Sequence, residues 1–339
     1  MISKILILRF SSLGDIVMTT AMIRCLRNAF PKAQIDMAVR EDFSDLIECN
    51  PHLNQKYYLS KKDGYQGLKK FLSTTRGHYD LVYDAHRSLR TRFLMPQVSA
   101  PYKVYFDKHY VRRSLALTLK LPILKRKRYL ERFIEPLASF GVKYDGLGPE
   151  VFVPDGLGGE ISRRFHLSPD KKYIGLIPSA QWPGKRWPIE RFTQVALRLA
   201  KETDLDFLIF GGKADHFCEA LHAALPLNRS HNFQGKLSIL EGAAILPRCQ
   251  VVIANDTGLL HVADAVGVPS VAILGPTSAE MGCEPFQPRS RLAEVDLWCR
   301  PCSKNGEAPC IRSERFCLSR VTVDRVTSLT LGILRETKV

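Results

Sequence analysis

A chain of 339 residues with 45% hydrophobic and 24% charged side chains has the composition of a folded protein and the length for two domain cores, which excludes disorder, collagen-like repeats and a coiled coil. Its 49 Lys and Arg against 34 Asp and Glu leave a formal charge of +15. Residues 1–160 hold 26 of the basic and 16 of the acidic residues, so +10 of the surplus is N-terminal.

The stretch Met1 to Phe10 has an apolar run too short for a signal-peptide core, so the expected compartment is the cytoplasm. Lys4 to Phe10 instead reads as a buried parallel strand. The turn Ser11-Ser12-Leu13-Gly14 leads into a helix from Asp15 to Phe30, ended by Pro31. Ala33 to Val39 is a second strand. Leu81 to Tyr83 precedes a helix from about Ser88, and Tyr102 to Tyr105 precedes another near Arg112. Between Lys103 and Arg132 the basic residues are Lys103, Lys108, Arg112, Arg113, Lys120, Lys125, Arg126, Lys127, Arg128 and Arg132, against Asp107 and Glu131. Such a run is either a solvated helix face or a surface that meets anions.

Gly and Pro accumulate from Asp145 to Gly159 and mark a boundary, giving domains 1–155 and 156–320, with 321–339 a terminal helix that packs back on the first domain. The alternation then restarts: strand Tyr173–Ile177, helix Ile189–Glu202, strand Phe207–Phe210, helix Ala214–Ala224, strand Val251–Ile253 and strand Val268–Leu274. No apolar run is long enough to span a membrane; Val251 to Gly275 is broken by Asn255, Asp256, His261 and Asp264. The expected fold is α/β, two doubly wound Rossmann-like domains facing across a cleft, with ligands at the carboxyl ends of the strands.

Several strand-to-helix turns carry chemistry. Gly14-Asp15 stands at a helix N-terminus, where an Asp is either a cap or a general base. Pro178 to Pro188 brings Ser179, Lys185 and Arg186 into a compact turn suited to a phosphate, or forms an ordinary aromatic turn. Gly211-Gly212 permits close backbone approach, and Asp215 beyond it either meets ribose hydroxyls or caps a helix. Asp256, Thr257 and Gly258 open a helix directly after a strand, a natural diphosphate site, with His261 one turn on. Gly275-Pro276-Thr277-Ser278 repeats the arrangement on the next strand. Neither a Walker loop nor a G-x-G-x-x-G fingerprint occurs, which disfavours a dehydrogenase. Cys25, Cys49, Cys218, Cys249 and Cys283 read as reduced thiols. Cys299, Cys302, Cys310 and Cys317 form C-x2-C-x7-C-x6-C, either a structural zinc set, redox-labile thiols or unligated packing.

In order along the chain, Arg9-Phe10-Ser11-Ser12-Leu13-Gly14-Asp15, Lys185-Arg186-Trp187-Pro188, Phe210 to His216, Asn255 to Ala263 and Gly275-Pro276-Thr277 together resemble glycosyltransferase family 9, the ADP-heptose:lipopolysaccharide heptosyltransferases. The Lys185 run and the Asp215-His216 step look more like the second heptosyltransferase than the first. The resemblance implies a GT-B architecture and inverting transfer by direct displacement, with Asp15 as general base and Lys185 neutralising the leaving diphosphate. Ser179, Lys185, Arg186, Asp215, Asp256, Thr257, Gly258 and His261 would form the donor site. Ser11, Ser12, Gly14, His86 and Arg90 are the acceptor-side candidates, with Arg87 beside them. The implied partners are ADP-heptose, a phosphorylated lipopolysaccharide inner core and the anionic cytoplasmic face of the inner membrane, the protein acting as a peripheral monomer. No cofactor is required, with Mg2+ at most an activator. The alternatives are another nucleotide-sugar donor, or a nucleic-acid-binding protein, for which the chain has no recognition motif.

Overall fold

Each half of the chain builds one parallel sheet. The computed structural model describes residues 2–75, 78–109, 115, 127–282, 284–303 and 305–337. In the first sheet β1 (Lys4–Leu8), β2 (Gln34–Arg40), β3 (Lys56–Leu59), β4 (Leu81–Asp84) and β5 (Tyr102–Tyr105) lie in the order β3-β2-β1-β4-β5. In the second, β6 (Tyr173–Ile177), β7 (Asp206–Ile209), β8 (Ser230–Asn232), β9 (Cys249–Asn255), β10 (Ser270–Ile273) and β11 (Arg291–Ala293) lie in the order β11-β10-β9-β6-β7-β8. Both are the doubly wound order, in which the winding reverses beside the first strand and opens a crevice at the carboxyl ends. The reversal falls between β1 and β4 in one sheet and between β6 and β9 in the other.

The central strands are apolar runs because both of their faces are covered. Ile5 to Leu8 are fully buried, and every residue of β6 is buried. Helix Leu13–Ala29 is buried from Ile16 to Leu26. Helix Ile189–Glu202 has the predicted bounds and buries Phe192, Val195, Ala196 and Leu199, the i, i+3, i+4, i+7 stripe of a helix lying on a sheet. Each large apolar side chain so covered contributes about 2 kcal/mol of transfer free energy. The helix expected from Ala214 begins at Phe217, because Asp215 closes a turn ahead of it, its Oδ2 accepting the Gly212 N–H at 2.8 Å.

One compact unit takes the residues up to His109 together with Lys127–Phe152, and the other runs from Val153 onward. The Gly/Pro stretch at their junction is tied into the first unit. Arg24 reaches Asp145 at 2.7 Å and Glu150 at 2.7 Å, and donates to the carbonyls of Leu147 (3.1 Å) and Gly148 (3.0 Å). The terminal helix, Val323–Glu336, corrects the sequence reading. Expected to return to the first domain, it instead buries Val326, Ile333 and Leu334 in the second domain's core, against helix Ile189–Glu202 and strands β9 and β10. Among the described residues no helix is long and apolar enough to cross a membrane. The helix expected near Arg112, with Arg113, Lys120, Lys125 and Arg126, lies outside the described residues, as does Cys283.

Arg24→Ala strands two partly buried carboxylates and two carbonyls, and should cost about 3 kcal/mol. Urea unfolding followed by fluorescence measures this; an unmoved midpoint would show that the cluster does not hold the junction.

Candidate active site

Two constellations form, one at each winding reversal. In the first unit, Asp15 sits in the opening turn of helix Leu13–Ala29, after β1. Its Oδ2 accepts the Ser12 N–H at 3.2 Å and the Ser12 hydroxyl at 2.7 Å, and lies 2.5 Å from Arg9 Nη2. Ser12 is therefore the N-cap and Asp15 its capping-box partner at the third helical position, with a side chain 27% exposed. Arg9 is buried and is fixed from behind by the Ala85 carbonyl, at 2.6 Å from Nη1. That carbonyl follows β4, so the guanidinium bridges the two strands that flank the reversal.

His86 stands beside them. Asp84 Oδ1 accepts the N–H groups of His86 (3.0 Å) and Arg87 (2.7 Å), which shapes the turn. His86 Nδ1 accepts the Phe10 N–H at 3.4 Å, which leaves Nε2 to carry the proton of a neutral ring. Burial, joined by the charges of Arg9 and Lys108, pushes the imidazole down to about 3, with Asp15 acting in the opposite sense. Arg90 lies exposed in the first turn of helix Leu89–Gln97. Ser11 and Gly14 are half-buried and Ser12 is exposed.

In the second unit the candidate donor residues gather at the ends of four contiguous strands, β10, β9, β6 and β7. Lys185 Nζ lies 2.7 Å from Asp256 Oδ2, and the Thr277 hydroxyl donates to the same oxygen at 2.5 Å. Burial alone would raise the Asp256 carboxyl, but the Lys185 charge and the hydrogen bonds from Lys185 and Thr277 prevail and hold it below the usual carboxylate range. Its oxygen thus organises a cation and a hydroxyl. Thr257 is the N-cap of helix Gly258–Ala265, whose first N–H groups have no acceptor within the helix and whose dipole favours an anion. His261 is buried within that helix. Asn255 ties the loops together, its Nδ2 donating to the Pro178 carbonyl at 2.7 Å and its Oδ1 accepting the Trp187 N–H at 3.1 Å.

At the end of β7, Asp215 Oδ1 lies 3.5 Å from Arg186 Nη2, while Arg186 Nε donates to the Ala180 carbonyl at 2.9 Å. Ser179 Oγ is 3.5 Å from the Phe210 carbonyl. An added Cβ at Gly211 would stand 2.8 Å from Cys218 Sγ and 3.2 Å from Ser179 Oγ, so only glycine fits there.

The structure adds participants that sequence reasoning missed or left without a role. Arg9 was legible only as the one charge ending an apolar strand. Thr277 lay in a turn already noted as phosphate-friendly. The zinc reading of Cys299, Cys302, Cys310 and Cys317 is not supported. Among the described residues, which include all four, no three Cys, His, Asp or Glu gather as a metal-binding group. Cys310 is exposed while Cys299 and Cys317 are buried. Burial pushes the Cys317 thiol up to about 11, against the opposing charge of Arg300, so at neutral pH it is a protonated packing group.

A sequence model of glycosyltransferase family 9 (heptosyltransferase) matches residues 68–309. Lipopolysaccharide heptosyltransferase 2 of Escherichia coli K12 is 25% identical over 313 residues, spanning 86% of this chain and 88% of that relative. The fold is shared with a family 9 glycosyltransferase from Veillonella parvula DSM 2008, with a TM-score of 0.80 and 24% identity over 98% of both chains. It is shared equally with the E. coli ADP-heptose lps heptosyltransferase II, with a TM-score of 0.78 and 24% identity over 99% of this chain and 100% of the other.

The His86 shift has a testable sign. In the unfolded chain the ring takes up a proton near its ordinary 6.5, whereas in the folded chain it does so only near 3. Its contribution to stability is therefore complete above pH 6.5 and declines as pH falls from there toward 3. The His86 ring resonances should stay unshifted between pH 8 and 5 in an NMR titration; a midpoint near 6.5 would show the ring to be open to water.

Proposed function

The chain belongs to glycosyltransferase family 9 and is a glycosyltransferase, and from that premise we propose that it moves a heptose from ADP-heptose to the phosphorylated inner core of lipopolysaccharide, with inversion. The observation that carries this reading is Lys185, held 2.7 Å from Asp256 beside the N-terminus of helix Gly258–Ala265. A fixed cation next to free helix N–H groups at a winding reversal matches the charge of a nucleoside diphosphate.

In this mechanism an acceptor hydroxyl oxygen attacks the anomeric carbon from the face opposite the diphosphate. The new C–O bond forms as the bond to ADP breaks, the hydroxyl proton passes to the Asp15 carboxylate, and ADP leaves with the electron pair. Arg9 and Ser12 orient that carboxylate. Negative charge grows on the leaving phosphate, so Lys185 and the N–H groups at Thr257 and Gly258 act more strongly on the transition state than on the bound donor. Asp256 serves through Lys185 and Thr277. Asp215 meets the ribose, with Ser179, Arg186 and His261 lining the donor site. On the acceptor side, Ser11, Ser12 and Gly14 shape the rim, neutral His86 offers an N–H, and Arg90 with Lys108 meets the phosphates. The reaction uses no required cofactor, Mg2+ being at most an activator. The protein works as a monomer on the cytoplasmic face of the inner membrane, and its N-terminal charge surplus is suited to anionic headgroups.

Asp15→Asn should lower kcat about 10²–10⁴-fold while ADP binding by calorimetry is kept; normal turnover would remove Asp15 from the chemistry. Lys185→Ala should cost about 10²–10³-fold in kcat/KM. Screening ADP- and UDP-sugars for acceptor-dependent nucleotide release tests the donor, and release from UDP-sugars alone would overturn it. Liposomes carrying anionic lipid should retain the protein at low salt and release it at high salt; binding indifferent to lipid charge would remove the membrane part of the proposal.

A further inference from the structure

The segment from Arg300 to Gly306, which starts inside the C-x2-C pair, packs on the turn of Gly275–Thr277 and on the stem of Lys185. Arg300, with a side chain only 6% exposed, donates from Nε to the Gly275 carbonyl at 2.6 Å and from Nη2 to the Thr277 carbonyl at 2.7 Å, the same Nη2 also meeting Glu294 Oε2 at 2.8 Å. The Cys302 N–H donates to the Pro276 carbonyl at 3.1 Å. One arginine and one backbone N–H thereby fix the turn that presents Thr277 to Asp256. Buried Ser303 then accepts the Gly306 N–H on its hydroxyl at 2.7 Å.

Gly306 is where this segment meets the lysine. Its backbone is left-handed, with φ +78°, and a Cβ built on it would stand 2.7 Å from Lys185 Cγ, 3.2 Å from Lys185 Cε and 3.0 Å from Pro276 Cγ. On the other side, a Cβ at Gly184 would collide with the Gly306 carbonyl oxygen. Two glycines therefore let two backbones close on the aliphatic stem of Lys185, which leaves its ammonium directed at Asp256.

We propose that Gly306, set in place by Ser303 and by the Arg300 anchor, is a positioning residue that fixes the stem of Lys185 and so places its ammonium for the donor diphosphate. The proposal rests on the reading of Lys185 as a diphosphate ligand. Neither Gly306 nor Ser303 is asked to touch the donor; they act through the lysine. A Cβ at Gly306 must displace the stem by several tenths of an ångström, and misplacement of a ligating group on that scale costs roughly tenfold or more in binding or rate.

ADP itself is the probe, titrated by calorimetry into the full chain. Gly306→Ala should weaken ADP binding about tenfold. Combined with Lys185→Ala it should add no further loss, because alanine has no stem to displace. Gly267→Ala is the control, since Gly267 has φ +84° and nothing within 4 Å of an added Cβ; it carries the same backbone strain and should bind ADP as the unaltered chain does. Ser303→Ala removes only a hydroxyl and covers the case in which Gly306→Ala does not fold; it should weaken ADP about threefold, again only while Lys185 is present. Unaltered ADP affinity in Gly306→Ala, or an unaltered affinity in Ser303→Ala where Gly306→Ala does not fold, overturns the proposal. So does a loss that persists in full in the Lys185→Ala background. If Lys185→Ala alone binds ADP normally, the diphosphate reading of Lys185 has failed instead, which is a separate outcome.

Discussion

The second domain is organised around a lysine ammonium kept among buried groups. Lys185 and Asp256 are 14% and 9% exposed, and at 2.7 Å their attraction is about 6 kcal/mol at an effective dielectric of 20. Removing each ion from water costs several kcal/mol, so the pair is a weak source of stability. What it secures is position: a free lysine stem would carry its charge outward to solvent, whereas Asp256 retains it beside the helix N-terminus. The surrounding contacts maintain this placement. Thr277 takes up the same carboxylate oxygen from β10, and Asn255 joins the Pro178 and Trp187 backbones to the end of β9.

The first domain uses an Arg–Asp pair at its own winding reversal with the burial inverted. There the cation is the inaccessible member, with Arg9 4% and Asp15 27% exposed. The difference separates two uses of a carboxylate. Asp256, covered and spoken for by Lys185 and Thr277, can only arrange other groups. Asp15 is braced from behind by Arg9 yet keeps part of its surface exposed. Similar residue pairs in similar folds thus differ in which partner is buried.

Sequence alone disclosed the parts of this arrangement that are local. β1, β6 and β9 are apolar because they are covered on both faces, and helix Ile189–Glu202 shows its stripe, so each could be placed from the pattern of side chains. The edge strands β3, β8 and β11 could not, since Lys56-Tyr57-Tyr58-Leu59, Ser230-His231-Asn232 and Arg291-Leu292-Ala293 carry no strong period and become strands only by pairing with a neighbour already in place. The turns holding Asp15, Lys185, Asp215 and Asp256 were visible as strand-to-helix junctions. Their partners were not: Lys185 and Asp256 are 71 positions apart and Arg9 and the Ala85 carbonyl 76, and nothing in one dimension selects such pairs. The cysteine spacing left zinc, redox thiols and packing all open for the same reason, since spacing alone does not place side chains.

Charge shows most clearly how a count differs from a field. The surplus of +15 invites the idea of a surface facing anions, but many arginines are turned inward onto carbonyl oxygens, which carry no formal charge to cancel theirs. Arg248 serves the carbonyls of Ser168, Pro169 and Lys171. Arg27 does the same for Phe30, Pro31, Ala33 and His52. These guanidiniums satisfy the unpaired ends of helices and strands, work that a planar fork does well and that leaves one uncompensated charge each time. Within the basic run from Lys103 to Arg132, Lys108 donates to the Arg87 carbonyl, Lys127 pairs with Glu135, and Arg132 lies over the rings of Phe106 and Tyr129. Part of the formal surplus is therefore the by-product of how this chain closes its loops. The cations at the ends of the two sheets, Lys185 beside Asp256 in one domain and Arg9 beside Asp15 in the other, are likewise each set against a carboxylate, so the formal count says little about the field at either winding reversal.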